Sequence, residues 1–321
     1  MPVNSGAISA IPVEIFSSYI VEKLRKVNPH LACAVDESSN VLGGSVVHIP
    51  QAGTSPSVVK NRSSFPSTIV QRGDSYITYP LDVFTTDPTH VTWHEENENS
   101  YNKTDSILSD HVATLAEAAG DWMIYNWVKG LKLNAGSYVA DVIPSTNIIN
   151  TTGAATAVNT DDGQTGTRLA FTYKELQLAQ AKMNKQNVPK EDRYAMIESY
   201  QYQQFIDSLS ANQMAAFQAA ADLANGVVGK FAGFSIMDRS NVLSFTTGGV
   251  LNVPGAALAA TDNLGSLCWQ KLSVAKALGD TKPFQQTDAP AYYGDIFSAL
   301  VKFGGRCRRG DWKGVMVIRQ A

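Results

Sequence analysis

Two strand-like runs in the first quarter of the chain are joined by a segment that cannot support itself. Val46, Val47 and Ile49 form the first run, and YITYPLDVF, from Tyr76, alternates as the second. Between them lies QAGTSPSVVKNRSSFPSTIVQRGD (51–74), with two short β-prone runs, Val58-Val59 and Thr68-Ile69-Val70, set apart by Asn, Ser and Pro. The expected form is a long hairpin too polar to build a core of its own. An isolated two-stranded hairpin is marginal in water, so this one is expected to lean on a neighbouring subunit through Val58, Val59, Phe65 and Ile69. A chain with such a limb is not expected to satisfy itself alone.

The rest of the chain reads as long helices and strands in mixed order. Pro12 opens a helical pattern in which Ile15, Phe16, Tyr19, Ile20 and Leu24 recur until Asn28-Pro29 stops it. A lone terminal helix must dock on the body or on another chain. The clearest helix runs over 104–129: Asn102 to Asp105 supply capping residues, and Leu108, Val112, Leu115, Ala119, Trp122 and Asn126 step by three and four to Trp127. At about 1.5 Å per residue it makes a rod about 37 Å long, closed by Lys129-Gly130. From Ser145 to Thr167 a Thr/Asn/Gly-rich stretch is expected to be loop. Helices at 172–187, 200–208 and 211–225 surround a strand from Arg193 to Glu198, and a β-rich region follows from Val227. Without regular βαβ units, this order predicts an α+β fold.

Composition narrows the class. Of 321 residues, 44 % are apolar, ample for a core. Only 17 % are charged, against about 25 % in ordinary globular domains, as suits a protein that buries much of itself against neighbours. The net charge of −3 supplies no basic field to recruit nucleic acid. Cys33, Cys268 and Cys307 have no disulfide or zinc spacing and are read as free thiols of a reducing compartment. The start, MPVNSGAISAIPVEIF, lacks a basic n-region and a continuous apolar h-region, so no signal peptide is expected. The most apolar stretch, Met214 to Phe234, is broken by Gln218, Asp222, Asn225 and Lys230, so no membrane span is expected.

Catalytic motifs fail on inspection. Gly226-Val227-Val228-Gly229-Lys230-Phe231 has Ala224 and Phe231 where a phosphate loop needs Gly and Ser or Thr. Gly233-Phe234-Ser235-Ile236-Met237 lacks the second glycine of a nucleophile elbow. His90 and His94, with Glu95 and Glu96 adjacent, read as a solvated strand end rather than a metal site, and His111 as a partly buried spacer. Arg309-Gly310-Asp311 reads as a tight turn between strands. No enzyme, cofactor or metal is expected. One charge concentration stands out, Arg306, Arg308, Arg309 and Lys313. It reads either as inter-subunit salt bridges or contact with packaged nucleic acid, or else as a merely exposed hairpin.

Three stretches together carry a resemblance. They are TYKELQLAQAKMNKQNVPKEDRYAMIESYQYQQFIDSL (172–209), GVVGKFAGFSIMDRSNVL (226–243), and a third from 267 to 318 that contains Gly294-Asp295, Gly304-Gly305, an Arg-rich turn and a hydrophobic closing strand. In this order they resemble tailed-bacteriophage major capsid proteins with the Hong Kong 97 phage fold. The resemblance implies an N-terminal arm (1–44), an extended loop hairpin with flanking strands (45–82), a peripheral domain (83–144) with its spine helix, an axial domain (145–285), and a return to the peripheral domain (286–321). It implies that the extended loop meets neighbours through Val58, Val59, Lys60, Arg62, Phe65, Ile69 and Arg72.

The function so implied is a structural subunit assembling as pentamers and hexamers into an icosahedral shell around double-stranded DNA, formed in the host bacterial cytoplasm. Expected partners are further copies, a separate scaffolding protein, a portal, decoration proteins and the DNA by non-specific contact. No long charged coiled region precedes residue 45, so no fused scaffolding segment is expected. Lys60 is the only lysine of the loop, and no motif supplies an Asn or Glu for a cross-link, so none is expected. An encapsulin-like compartment around cargo enzymes is the alternative reading, and a hydrolase with an unrecognised site a remote one.

Overall fold

A computed structural model of the chain describes residues 26–42, 45–67, 69–93, 103–134, 137–161 and 163–321. The terminal helix expected at 12–24 lies outside these residues. In chain order, strands β1 (Val35–Asp36), β2 (Val41–Leu42), β3 (Val46–Gln51), β4 (Ser75–Pro80), β5 (Asp82–Thr85) and β6 (Thr89–Thr92) precede helix α1 (Lys103–Val128). A hairpin of β7 (Lys129–Asn134) and β8 (Ser137–Val142) follows it directly. Next come β9 (Ile148–Asn150), β10 (Ala155–Ala157), β11 (Thr167–Leu169), α2 (Tyr173–Lys185), β12 (Arg193–Glu198), α3 (Ser199–Ser208) and α4 (Ala211–Gln218). Seven further strands close the chain: β13 (Gly229–Phe231), β14 (Phe234–Arg239), β15 (Leu243–Phe245), β16 (Asn263–Gln270), β17 (Val274–Ala289), β18 (Gly294–Cys307) and β19 (Val315–Arg319). The α+β expectation is met.

The long ladder of β17 and β18 organises a five-stranded sheet in the order β1-β17-β18-β5, with β6 on the far half of β18. Helix α1 lies across β18 and buries Leu115, Ala119, Met123, Ile124, Trp127 and Val128. The Trp127 indole donates to the Ala275 carbonyl at 3.0 Å. The paired glycines of the motif make this approach possible: a Cβ on Gly305 would lie 2.2 Å from Met123 Sδ and 2.6 Å from the Ala275 carbonyl oxygen. Val112, expected on the packed face, is instead exposed, and His111 is buried.

A seven-stranded sheet runs β13-β14-β12-β16-β19-β9, with β15 also on β16. Its outer face is covered by Leu176, Ala179 and Met183 of α2, Phe205 of α3 and Phe217 of α4. From its other face Leu267, Trp269, Val315 and Val317 pack into the same cluster as Trp127 and Val128. Burial on both faces explains why β19 reads as a continuous apolar run from Val315 to Ile318, and why β16 is buried from Leu264 to Gln270 although Ser266 and Gln270 interrupt its apolar residues. Helix α2 starts with a capping box in which the buried Glu175 carboxylate accepts from the Thr172 amide (2.8 Å) and hydroxyl (2.6 Å). The same carboxylate accepts from the Thr152 amide (2.8 Å) and hydroxyl (2.7 Å), which fixes the preceding loop.

Three expectations change. The stretch 145–167 contains ordered pieces: β9 pairs parallel to β19, and β10 pairs with β11. Asn147 anchors it by donating to the carbonyls of Trp312 (2.8 Å) and Val315 (3.1 Å). The helix expected over 211–225 stops at Gln218, because Asp222 and Val227 exchange backbone hydrogen bonds that the helix cannot accommodate. The two sheets also divide the chain at other points than the sequence boundaries. β17, from Val274, already belongs to the five-stranded sheet, whereas β19 returns to the seven-stranded one, because the turn after Cys307 carries the chain across.

Candidate assembly surface

The limb between β3 and β4 has a firm root and an unsupported end. The ladder pairs Val46 with Pro80 through to Gln51 with Ser75. Val47, Ile49 and Tyr79 are buried there against Leu81, Ala275 and Ala277, and the Gln51 amide donates to the Arg308 carbonyl at 2.8 Å. Past the ladder, Asp74 accepts from the Gly53 amide at 2.9 Å and pairs with Arg72 at 2.7 Å. The Arg72 hydrogen bonds, and then the Gly53 amide, hold the Asp74 carboxyl below the usual carboxylate range. Beyond this collar no described residue of 52–74 joins a strand ladder, so the β-prone runs stay unpaired. Val58 and Ile69 are each 96 % exposed, Val70 82 % and Phe65 78 %. Val59, Lys60 and Arg62 are exposed as well. The limb thus displays these apolar side chains without burying them against its own body.

The basic turn separates into buried and exposed parts. Arg306 is 1 % exposed; its guanidinium donates to Asp141 Oδ2 (2.6 Å), the Leu131 carbonyl (2.8 Å) and the Cys307 carbonyl (3.0 Å). The expectation that Arg306 meets a neighbour or the genome is therefore corrected: it is a core group tying β18 to the β7–β8 hairpin. Arg308 reaches the buried Glu37 carboxylate at 2.7 Å. Arg309 and Lys313 both face Asp311, at 2.9 and 3.2 Å, and the Arg309 hydrogen bonds hold the Asp311 carboxyl far below its usual range. The Arg309-Gly310-Asp311 tripeptide is thus the turn between β18 and β19, internally paired but exposed.

Two features escaped sequence reasoning. The first is the β7–β8 hairpin, whose register pairs Leu133 with Tyr138 and Lys129 with Val142. Its inner face carries Lys132 and Asp141, joined at 2.9 Å beside Arg306. The outer face carries Leu131, Leu133, Tyr138 and Val142, all exposed. The polarity is inside-out, and the signal was the alternation LKLN and SYVADV around Ala135-Gly136.

The second is a clasp on the root of the arm. Arg239, at the end of β14 and nearly buried, donates to Asp121 Oδ1 of α1 (2.6 Å) and to Asn28 Oδ1 (2.5 Å). Lys26 pairs with the same Asp121 at 3.0 Å, and His30 Nε2 meets the Gly120 carbonyl at 3.1 Å. Burial, then the Arg239 charge, lowers the His30 pKa to about 3, so the ring is neutral and Nε2 is the donor. A Cβ on Gly120 would lie 2.1 Å from Asn28 Oδ1, so glycine lets the arm root seat against the helix.

The rejected motifs have plain structural roles. Gly226 ends a short 3-10 turn at positive φ, and Ser235 is a β14 residue. His90 lies on β6 against the Tyr292 ring, whereas His94, Glu95 and Glu96 fall outside the described residues. Cys33, Cys268 and Cys307 are buried free thiols, and burial pushes the Cys307 thiol up to about 12. Among the described residues, no cluster of His, Cys, Asp or Glu could hold a metal, and no helix is long and apolar enough to cross a membrane.

Comparisons with known proteins agree with this architecture. Residues 97–291 match the family model described as "Phage capsid protein". No curated protein sequence matches the chain. Among solved structures, the chain is similar to one titled Mycobacterium phage Che8, at 16 % identity and TM-score 0.65, covering 98 % of each chain. It is similar to the capsid of Ralstonia phage GP4, at 11 % identity and TM-score 0.64, covering 99 % of this chain and 98 % of that one. It is also similar to the cyanophage Pam1 capsid, at 10 % identity and TM-score 0.65, covering 99 % and 98 %.

Proposed function

The chain belongs to the phage capsid protein family, and from that premise we propose how it builds its shell. It is a structural major capsid subunit of the Hong Kong 97-like fold, located in the virion, and its work is assembly rather than catalysis. Pentamers and hexamers are the assembly units. The five-stranded sheet with α1 serves as the peripheral region, and the seven-stranded sheet with α2, α3 and α4 as the axial region. The extended loop grips a neighbouring subunit through Val58, Val59, Phe65 and Ile69, with Lys60, Arg62 and Arg72 at the rim. Of the basic turn, Arg308, Arg309 and Lys313 remain available to a neighbour or to the packaged double-stranded DNA. A separate scaffolding protein, a portal and decoration proteins complete the particle.

The observation that carries this reading is the exposed apolar set of the loop on its buried root. Many modest contacts of this kind give a strong shell through multivalency. The test replaces residues 52–72 with a short Gly-Ser linker. Because the root ladder lies outside that segment, the expected product is a soluble, cooperatively melting subunit that forms no closed particles by negative-stain microscopy. Intact shells would make the loop surplus. An unfolded subunit would mean that the loop packs on its own body.

A further inference from the structure

We infer that the β7–β8 hairpin is the receptor for the extended loop of a second copy, which lays one of its β-prone runs along the free edge of β8. The inference rests on the reading of the loop as an inter-subunit limb and names what it grips. Three observations converge on it. β7 lies against β4 and β18, whereas β8, among the described residues, pairs with β7 alone, so its outer edge offers unpaired backbone groups. That edge is thinly guarded. Ser137–Val142 contains no Lys, Pro or bulge, and its one charge, Asp141, faces inward and is neutralised by Lys132 and Arg306 rather than set against an added strand. The outward face above it is apolar, with Leu133, Tyr138 and Val142 between 40 and 50 % exposed.

The occupant follows from what the chain itself leaves unsatisfied. Val58-Val59 and Ile69-Val70 are β-branched, exposed and outside any ladder. Strand addition supplies both deficits at once: backbone hydrogen bonds for the edge, and alternate apolar side chains for the face. Size also argues for a second copy within a closed array. A six-residue edge is roughly 20 Å long, so one contact buries well under the roughly 800 Å² per partner of a stable pair. It holds only when repeated around a ring, as identical copies allow.

Two variants test this by cross-linking. The native cysteines are buried, so thiols placed on the surface are the reactive ones. Ile69→Cys protein is mixed with Tyr138→Cys protein, assembled and oxidised. The expected result is a covalent dimer, absent from either variant alone and at least tenfold more abundant than with Val112→Cys or Tyr293→Cys, two other exposed positions. A dimer formed preferentially with either control would overturn the inference. In parallel, the double variant Tyr138→Lys/Val142→Lys is expected to melt like the parent and to form no shells. Normal shells from it would overturn the inference too. The linker replacement of 52–72 separates the two failures. If the loop is needed for shells while the double-lysine protein assembles normally, the receptor is elsewhere; if shells form without the loop, the limb reading itself falls.

Discussion

Replacing Arg306 distinguishes a structural arginine from an interfacial one. The side chain is 1 % exposed and makes three hydrogen bonds, one of them to the Asp141 carboxylate, whose side chain is 13 % exposed. Removing one partner of a buried ion pair typically costs about 3–5 kcal/mol, because the other charge is left unpaired. Here Lys132 still faces Asp141 at 2.9 Å, which softens that penalty, so Arg306→Ala is expected to cost about 3 kcal/mol. At about 2–4 °C per kcal/mol for a body of this size, the melting temperature of unassembled protein should fall by roughly 6–12 °C. Arg309→Ala removes an exposed pair worth about 0–1 kcal/mol and should melt within a few degrees of the parent. The assay is a thermal melt of dissociated protein followed by circular dichroism, with assembly scored separately. An Arg306→Ala protein that melts like the parent but does not assemble would refute the reasoning and return Arg306 to the interface. A cycle with Asp141→Asn should show strong coupling between the two positions.

Further perturbations probe the arm clasp and the loop anchor. Gly120→Ala raises helix propensity by about 1 kcal/mol yet drives a methyl into Asn28; the expected outcome is faster hydrogen exchange at 26–30 with no gain in melting temperature. His30 is neutral in the folded protein and has its pKa lowered to about 3, so below about 6.5 the unfolded chain binds the extra proton. Stability is therefore complete above pH about 6.5 and falls towards pH 3 with a slope of up to about 1.4 kcal/mol per pH unit. Urea midpoints measured across that range should flatten in His30→Gln. Glu175→Gln turns an amide group towards donors and should cost about 1–3 kcal/mol, visible as a lower urea midpoint with the helices retained.

The parts of the fold most legible in the sequence were those fixed by local periodicity. Helix α1 was visible because its apolar residues recur over 26 residues, and β12 was bounded correctly at both ends. The limb was legible through what it lacks. Burial of charge was not. In sequence Arg306 is one of four neighbouring cations, and only the pairing of β18 with β17, together with the β7–β8 hairpin, puts it beneath the surface. The arm clasp joins residues 26–30, 120–121 and 239, a coincidence of three distant positions that no spacing rule encodes. The return of β19 to the seven-stranded sheet is equally non-local, since an apolar strand at 315–319 suits either sheet.

The hydrophobic cluster shared by both sheets bears on how a closed shell bends. Trp127 and Val128 from the helix, Trp269 and Val317 from one sheet and Phe303 from the other are continuous in a single core. A hinge between the sheets would open that core to water, so each subunit presents one fixed wedge angle. Differences in curvature from place to place on the particle must then be absorbed outside that core, at the limb beyond its Arg72–Asp74 collar. The subunit behaves as a rigid tile with a compliant strap, and the strap, not the tile, sets how sharply neighbouring copies incline.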